Sequence, residues 1–404
     1  SAGGGQGSDG SGNVVIRYWD LVDPNGEGPR SEALKTTLER FEAETGIKVQ
    51  VEVLPWAQIP AQFMQAAGAG KAPDVVRILG QDLMQQINAG NLIPLDDFAD
   101  SKFKEDWLLG WDTLIYDGKK MALPYEYRAP VLYYRSDWMD GKKPPQSWDE
   151  MLRMANEMAD DQRSGVIIGL SRGSQAQALS EVILSYFWDM GVELFDADGK
   201  AAFNTEQGYA VFERIANLAK EGFAPDAVIS YTYEEVFQSL KAGTGVFTFL
   251  GSHRAEAARA AADLKGKLMI APLPGMKGGN EPAPAHVFGW TLAISKDSKN
   301  PEAAWKFIEF MTNPDTQLHQ VKLTGELPSR KSPYDDEFFN SEEGKELREL
   351  ADYMQTYGRT SQYSEYYTQM TEFWADAMQE IILNNAPVKQ AVDNAAEKYN
   401  ALIK

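Results

Sequence analysis

The chain has 404 residues, 43% of them apolar and 24% charged, a globular composition long enough for two or three domains. Against 39 basic residues stand 59 acidic ones, a net charge of −20, and no basic run exists that could track phosphates, so nucleic acid is excluded as a partner. Cysteine is absent, which removes disulfides and thiolate chemistry, and no apolar stretch approaches the ~20 residues that span a bilayer.

Residues 1–12 (SAGGGQGSDGSG) read as a flexible Gly/Ser tether. The start lacks Met, so the expectation is a processed chain, a lipoprotein whose anchoring cysteine lay just upstream, with an expression scar as the alternative. Strands and helices then alternate. A strand at 13–19 (NVVIRYW) precedes an amphipathic helix at 31–46, in which Leu34, Leu38 and Phe41 share a face. A strand at 47–53 alternates with period two, a helix covers 63–69, a strand follows at 74–79, and another helix ends at Gly90. This order indicates a parallel or mixed sheet covered by helices.

The middle of the chain repeats the theme. Ser147 and Glu150 form a capping box for a helix through Met158, and Thr232 with Glu235 forms a second. Strands are expected at 165–170, 246–250, 267–273 and 290–295, with helices at 175–190 and from Asn204 to Lys220. Asn300 caps a helix with Pro301 at its first position, and the last ninety residues read as helical.

The motifs for chemistry are few. His253, His286 and His319 have no partner at ligand spacing, so no metal is expected, and no Gly-rich phosphate cradle occurs, so no cofactor is expected either. Gly169, Ser171 and Gly173 match the G-x-S-x-G nucleophile elbow between a strand and a helix. That leaves a serine hydrolase using Ser171 as the alternative function, although no HGG-type oxyanion loop accompanies it. Aromatic residues are the larger surplus. Of ten tryptophans, Trp305 and Trp374 fit apolar helix faces, Trp107 and Trp111 read as an i, i+4 pair on one helix, and Trp138 and Trp148 flank a Pro-Pro turn. Trp19, Trp56, Trp188 and Trp290 remain at or just past element ends, where ligands of open α/β sheets bind. With Tyr125, Tyr127 and Tyr233 they point to a binding cleft.

The stretches GIKVQVEVLPW (46–56), FMQAAGAGKAPDVV (63–76), NAGNLIPLDDF (88–98), GKKMALPYEYRAPVLYYRSDWM (118–139), FNTEQGYAVFERIANLAKEGFAPD (203–226), FQSLKAGTGVFTFLGSHR (237–254) and GWTLAISKDSKNPEAAWKFIEFMTNP (289–314) give the chain a resemblance. In this order and spacing, it resembles the extracellular solute-binding proteins of ABC importers, in the branch that carries maltose-type and other oligosaccharides. The resemblance implies an α/β, periplasmic-binding-protein-like two-lobe clamp, each lobe a mixed sheet flanked by helices, with three crossings near 125–128, 284–288 and 314. Lobe one would be 13–127 plus 289–313, and lobe two 128–288 plus 314–404. It implies no catalysis, a sugar ligand held by hinge closure, delivery to a membrane permease, and a monomer outside the cytoplasmic membrane, lipid-anchored to its outer face or else periplasmic. Positions carried across by the resemblance are Trp19, Asp20, Trp56, Gln81, Asp82, Tyr125, Tyr127 and Trp290 from lobe one. Lobe two would contribute Trp188, Tyr233 and His253, with Glu326 and Arg359 as further contacts. Flat rings would meet the C–H faces of a pyranose, and polar groups would fix its hydroxyls.

Overall fold

Six residues with an apolar face, Val15–Asp20, start the first sheet of the computed structural model, which describes residues 12–361 and 363–403. The expected tether lies outside these residues except for Gly12. Gly28 and Pro29 open the next helix, Pro29–Thr45, and Gly46 closes it in the left-handed region at φ 72°, donating its N–H to the Glu42 carbonyl. Ala33, Leu34, Thr37 and Phe41 form its buried stripe. Strands Lys48–Val53 and Val75–Leu79 flank Val15–Asp20 in parallel, and Trp290–Ser295 joins the sheet antiparallel to Val75–Leu79. Leu92–Ile93 and Leu123–Pro124 both pair with Trp290–Ser295. Val75–Leu79 is buried throughout, as a central strand covered on both faces should be.

The chain divides into two units. The first holds the described residues up to Arg128 with Phe288–Ala351, and the second holds Ala129–Val287 with the described residues from Asp352 onward. In the second, Gly245–Gly251 is central: Pro130–Arg135 runs antiparallel on one side and Ser164–Ile167 parallel on the other. Leu268–Ala271 forms the edge beyond Pro130–Arg135. Every residue of helix Gln177–Asp189 is buried, which makes it the core element of this unit.

Several local expectations change. The helix expected to start at Asn204 is capped by Thr205, whose hydroxyl accepts from Gly208 N–H. Ser147 accepts from Glu150 N–H, but the Glu150 carboxylate returns to Gln146 rather than to Ser147. The Thr232–Glu235 box is reciprocal. Helix Gln177–Asp189 starts later than expected, because Ser174, Gln175 and Ala176 all adopt left-handed φ between 51° and 62°. Trp107 and Trp111 do not share a helix; their rings meet at 6.1 Å across turns. Residues 314–351 group with the first unit rather than with the second. Helix Pro314–Thr324 packs on Pro29–Thr45, and the Gln317 amide donates to Tyr125 O and Ser329 Oγ. The helical tail also contains one short strand, Gly358–Arg359, paired in parallel with Ala285–His286.

Candidate functional site

A guanidinium in the middle of an apolar strand organises the first unit. Arg77 projects from Val75–Leu79 and is almost wholly buried. Its Nη1 donates to Asp20 Oδ1 at 3.1 Å, and its Nη2 lies 3.7 Å from Glu326 Oε2. Its charged carbon stands 4.2 Å from the Tyr125 ring centroid and 5.4 Å from that of Trp290. Burial alone would lower the Arg77 pKa, but Asp20, then Tyr125 and Glu326, outweigh it and hold the group firmly protonated.

The backbone segments that carry the two rings are paired with each other. Tyr125 N–H donates to Trp290 O at 2.8 Å, and Trp290 N–H donates to Glu126 Oε1 at 3.0 Å. Glycine is required just before Trp290, since a Cβ on Gly289 would lie 2.3 Å from the Glu126 carbonyl oxygen. Glu126 pairs with Arg128 at 3.0 Å, and Glu326 pairs with Arg30 at 3.1 Å. Three carboxylates (Asp20, Glu126, Glu326) thus balance three guanidinium groups (Arg30, Arg77, Arg128). The cluster has aromatic faces, ample hydrogen-bonding capacity and no net charge.

The other expected residues of this unit are placed variously. Asp20 is fully buried, and Arg77, Tyr18 and the Val22 N–H occupy its oxygens, so it lies inside the unit rather than at an accessible surface. Glu326, expected as a further ligand contact, is buried, and its charge is needed against Arg77 and Arg30. Trp19 donates its Nε1 to Glu52 and packs edge-on against Phe63, apart from the Arg77 cluster. Trp56 is half-buried in a short turn. Tyr127 is buried, its N–H on the Leu327 carbonyl.

Gln81 and Asp82 are buried in the turn that follows Val75–Leu79. Among the described residues nothing hydrogen-bonds or ion-pairs with Asp82, and burial pushes its carboxyl up to about 7. An unfolded aspartate titrates near ~3.9, so the folded state holds this proton more tightly. Asp82 therefore costs stability as pH rises from about 4, and the full cost is reached above about 7. Asp82→Asn is expected to raise the melting temperature at pH 8 and to leave it nearly unchanged at pH 4. Equal stabilisation at both pH values would refute the argument.

In the second unit Tyr233 and Trp188 are linked through Glu181 and His286, whose Nδ1 lies 3.4 Å from the Glu181 carbonyl oxygen. The Tyr233 hydroxyl donates to buried Glu181 at 2.6 Å and accepts from Gly251 N–H at 3.0 Å, so this side chain offers its ring rather than its hydroxyl. His253 stacks on that ring at 5.6 Å. A Cβ on Gly251 would lie 2.2 Å from the Tyr233 oxygen, which explains the glycine there. Trp188 carries Arg359 over one face at 4.6 Å and meets His286 edge-on. Arg359, exposed, is also paired with Glu193 at 2.6 Å. Burial lowers His286 to about 4, so this imidazole is neutral near pH 7, with Nε2 3.2 Å from the Tyr363 hydroxyl.

Ser171 is not arranged as a nucleophile. Its hydroxyl accepts from Gly173 N–H at 2.9 Å, and among the described residues no histidine hydrogen-bonds to it. The segment after it is the left-handed Ser174–Ala176 turn rather than the start of a helix. Sequence reasoning missed Arg77 and Glu181. The available signal was a single charge inside VVRIL, because a buried charge must be paired. No helix among the described residues is long and apolar enough to cross a membrane, and they contain no metal-binding cluster.

Comparison with known proteins fits this architecture. A galactooligosaccharide-binding protein of Bacillus subtilis is 24% identical over 382 residues, covering 93% of this chain and 87% of the relative. The diacetylchitobiose-binding protein DasA of Streptomyces coelicolor is 23% identical over 340 residues, covering 81% and 76%. Among solved structures, maltose-bound MalE3 of T. maritima superposes with TM-score 0.82 at 24% identity, covering 96% of this chain and 100% of that one. The GacH receptor of Streptomyces glaucescens gives 0.81 at 23%, covering 96% and 98%, and the two structures share this fold. The family model for bacterial extracellular solute-binding proteins matches residues 25–318, and the chain belongs to that family.

Proposed function

We propose that the chain binds an uncharged oligosaccharide and passes it to the permease of an ABC importer. The observation that carries this reading is the ring pair Tyr125 and Trp290 set in a charge-balanced, hydrogen-bonding cluster. Such a set of groups suits a pyranose, whose C–H face stacks on a ring while its hydroxyls need donors and acceptors. In this reading Tyr125, Trp290 and Trp56 supply contacts from the first unit, together with Gln81 and Asp82. Within the second unit, Tyr233, His253 and Trp188 are the candidate sugar contacts. The ligands of these relatives, galactooligosaccharide, diacetylchitobiose and maltose, support a sugar. The protein works as a monomer on the outer side of the cytoplasmic membrane, and partition of the native protein into detergent tests the lipid anchor. Calorimetric titration with malto-, galacto- and chito-oligosaccharides tests the ligand class. Heat from an organic acid or an amino acid, with none from the sugars, would overturn it.

Salt provides an independent check. The net charge of −20 has no neutral ligand to steer, so affinity is expected to change little between low salt and about 0.5 M, where screening acts within a few ångströms. A steep salt dependence in the same titration would indicate a charged ligand.

A further inference from the structure

Arg77 is anchored incompletely by its hydrogen-bonding partners. Asp20 takes Nη1, but Nε and Nη2 are buried and make no hydrogen bond. Leaving two such donors unmade is costly, unless something else meets the positive edge of the guanidinium. Here the Glu326 carboxylate lies 3.7 Å from Nη2, and the Tyr125 and Trp290 ring centroids stand 4.2 and 5.4 Å from the guanidinium carbon. The interaction works in both directions. A planar cation held by Asp20 on the first strand, with Glu326 at its other end, lies beside both rings.

We propose that Arg77 is a positioning residue for ligand recognition, its guanidinium plane spacing the Tyr125 and Trp290 rings so that a sugar meets them in one fixed arrangement. The proposal rests on the oligosaccharide reading. It assigns Arg77 no direct ligand contact, since Asp20, Glu326 and the two rings surround it. Charge alone cannot do this work. A lysine could still neutralise Asp20 and Glu326, but its ammonium is a point charge with no plane to lie against two rings.

Arg77→Lys is therefore the decisive variant, made in the otherwise unaltered chain and in a Trp290→Phe background. The near-ultraviolet circular dichroism contributed by Trp290, obtained as the difference between the two backgrounds, reports ring immobilisation without any ligand. Arg77→Lys is expected to remove most of that band while the protein keeps a cooperative melt. Affinity for maltotriose, or for a galactooligosaccharide mixture if that binds better, is expected to fall about tenfold. If the band and the affinity both survive, Arg77 merely balances buried charge and the proposal is wrong. Should Arg77→Lys fail to fold, Glu326→Gln releases only the second anchor, and a partial loss of the band is expected; an unchanged band again overturns the proposal. If the unaltered protein binds neither probe, the oligosaccharide reading loses its support, and the Trp290 band still decides whether Arg77 sets the rings.

Discussion

Asp20→Ala is expected to destabilise the first unit by roughly 3–5 kcal/mol, the cost of breaking a buried ion pair on one side. Three groups lose their acceptor together: the Arg77 guanidinium, the Tyr18 hydroxyl and the Val22 N–H. Arg77 would retain only Glu326, at 3.7 Å and already shared with Arg30. For a unit of this size each kcal/mol moves the melting point by about 2–4 °C, so thermal unfolding should shift by roughly 6–20 °C. Asp20→Asn should do less, because an amide oxygen can still accept from one of the three donors. If Asp20 were instead an exposed ligand contact, both variants would melt normally and lose affinity only. A shift below a few degrees in Asp20→Ala would show that the buried pair is not what holds these strands together.

What the sequence disclosed, and what it did not, follows the range of the interactions. The Thr232–Glu235 capping box, the Pro301 helix start and the strand at Trp290–Ser295 depend on neighbours a few residues away, and all are found. The one-residue displacement from Asn204 to Thr205 reflects two adjacent residues that can both cap. The Trp107–Trp111 spacing suggested a helix because i, i+4 pairs are helical neighbours, yet Trp107 bridges to Arg330 and the segment is held by that distant contact. The assignment of 314–351 failed for a similar reason. Helix Pro314–Thr324 is polar along much of its length, and only its packing on Pro29–Thr45 reveals its unit. The ring pair was half legible. Trp290 stands out behind a glycine at the start of a strand, whereas Arg77 is one letter in a buried run, and its partners Asp20 and Glu326 lie on distant parts of the chain.

Trp290→Ala should lose both stability and binding, whereas Trp56→Ala should lose chiefly binding. Trp290 is 4% exposed and belongs to the apolar core of the first unit, so truncating it is expected to cost roughly 3–5 kcal/mol of folding stability. Core membership is not its whole role. The Arg77 guanidinium lies over its ring as it does over that of Tyr125, an arrangement not needed merely to fill volume. In the proposed function the ring also carries a sugar, and its loss should weaken binding by about 1–3 kcal/mol, taking that contact as comparable to burying a large apolar side chain. The corresponding change in dissociation constant is about fivefold to two-hundredfold. Trp56 is half-buried in a three-residue turn that has no buried member, so its removal should cost only about 1 kcal/mol of stability. Its affinity loss should nevertheless match that of Trp290. Melting curves and calorimetric titrations of both variants, the latter at a temperature where each is folded, separate the two contributions. Trp290→Ala that melts early yet binds sugar normally would confine this tryptophan to the core, and Trp56→Ala that binds normally would remove it from the ligand surface.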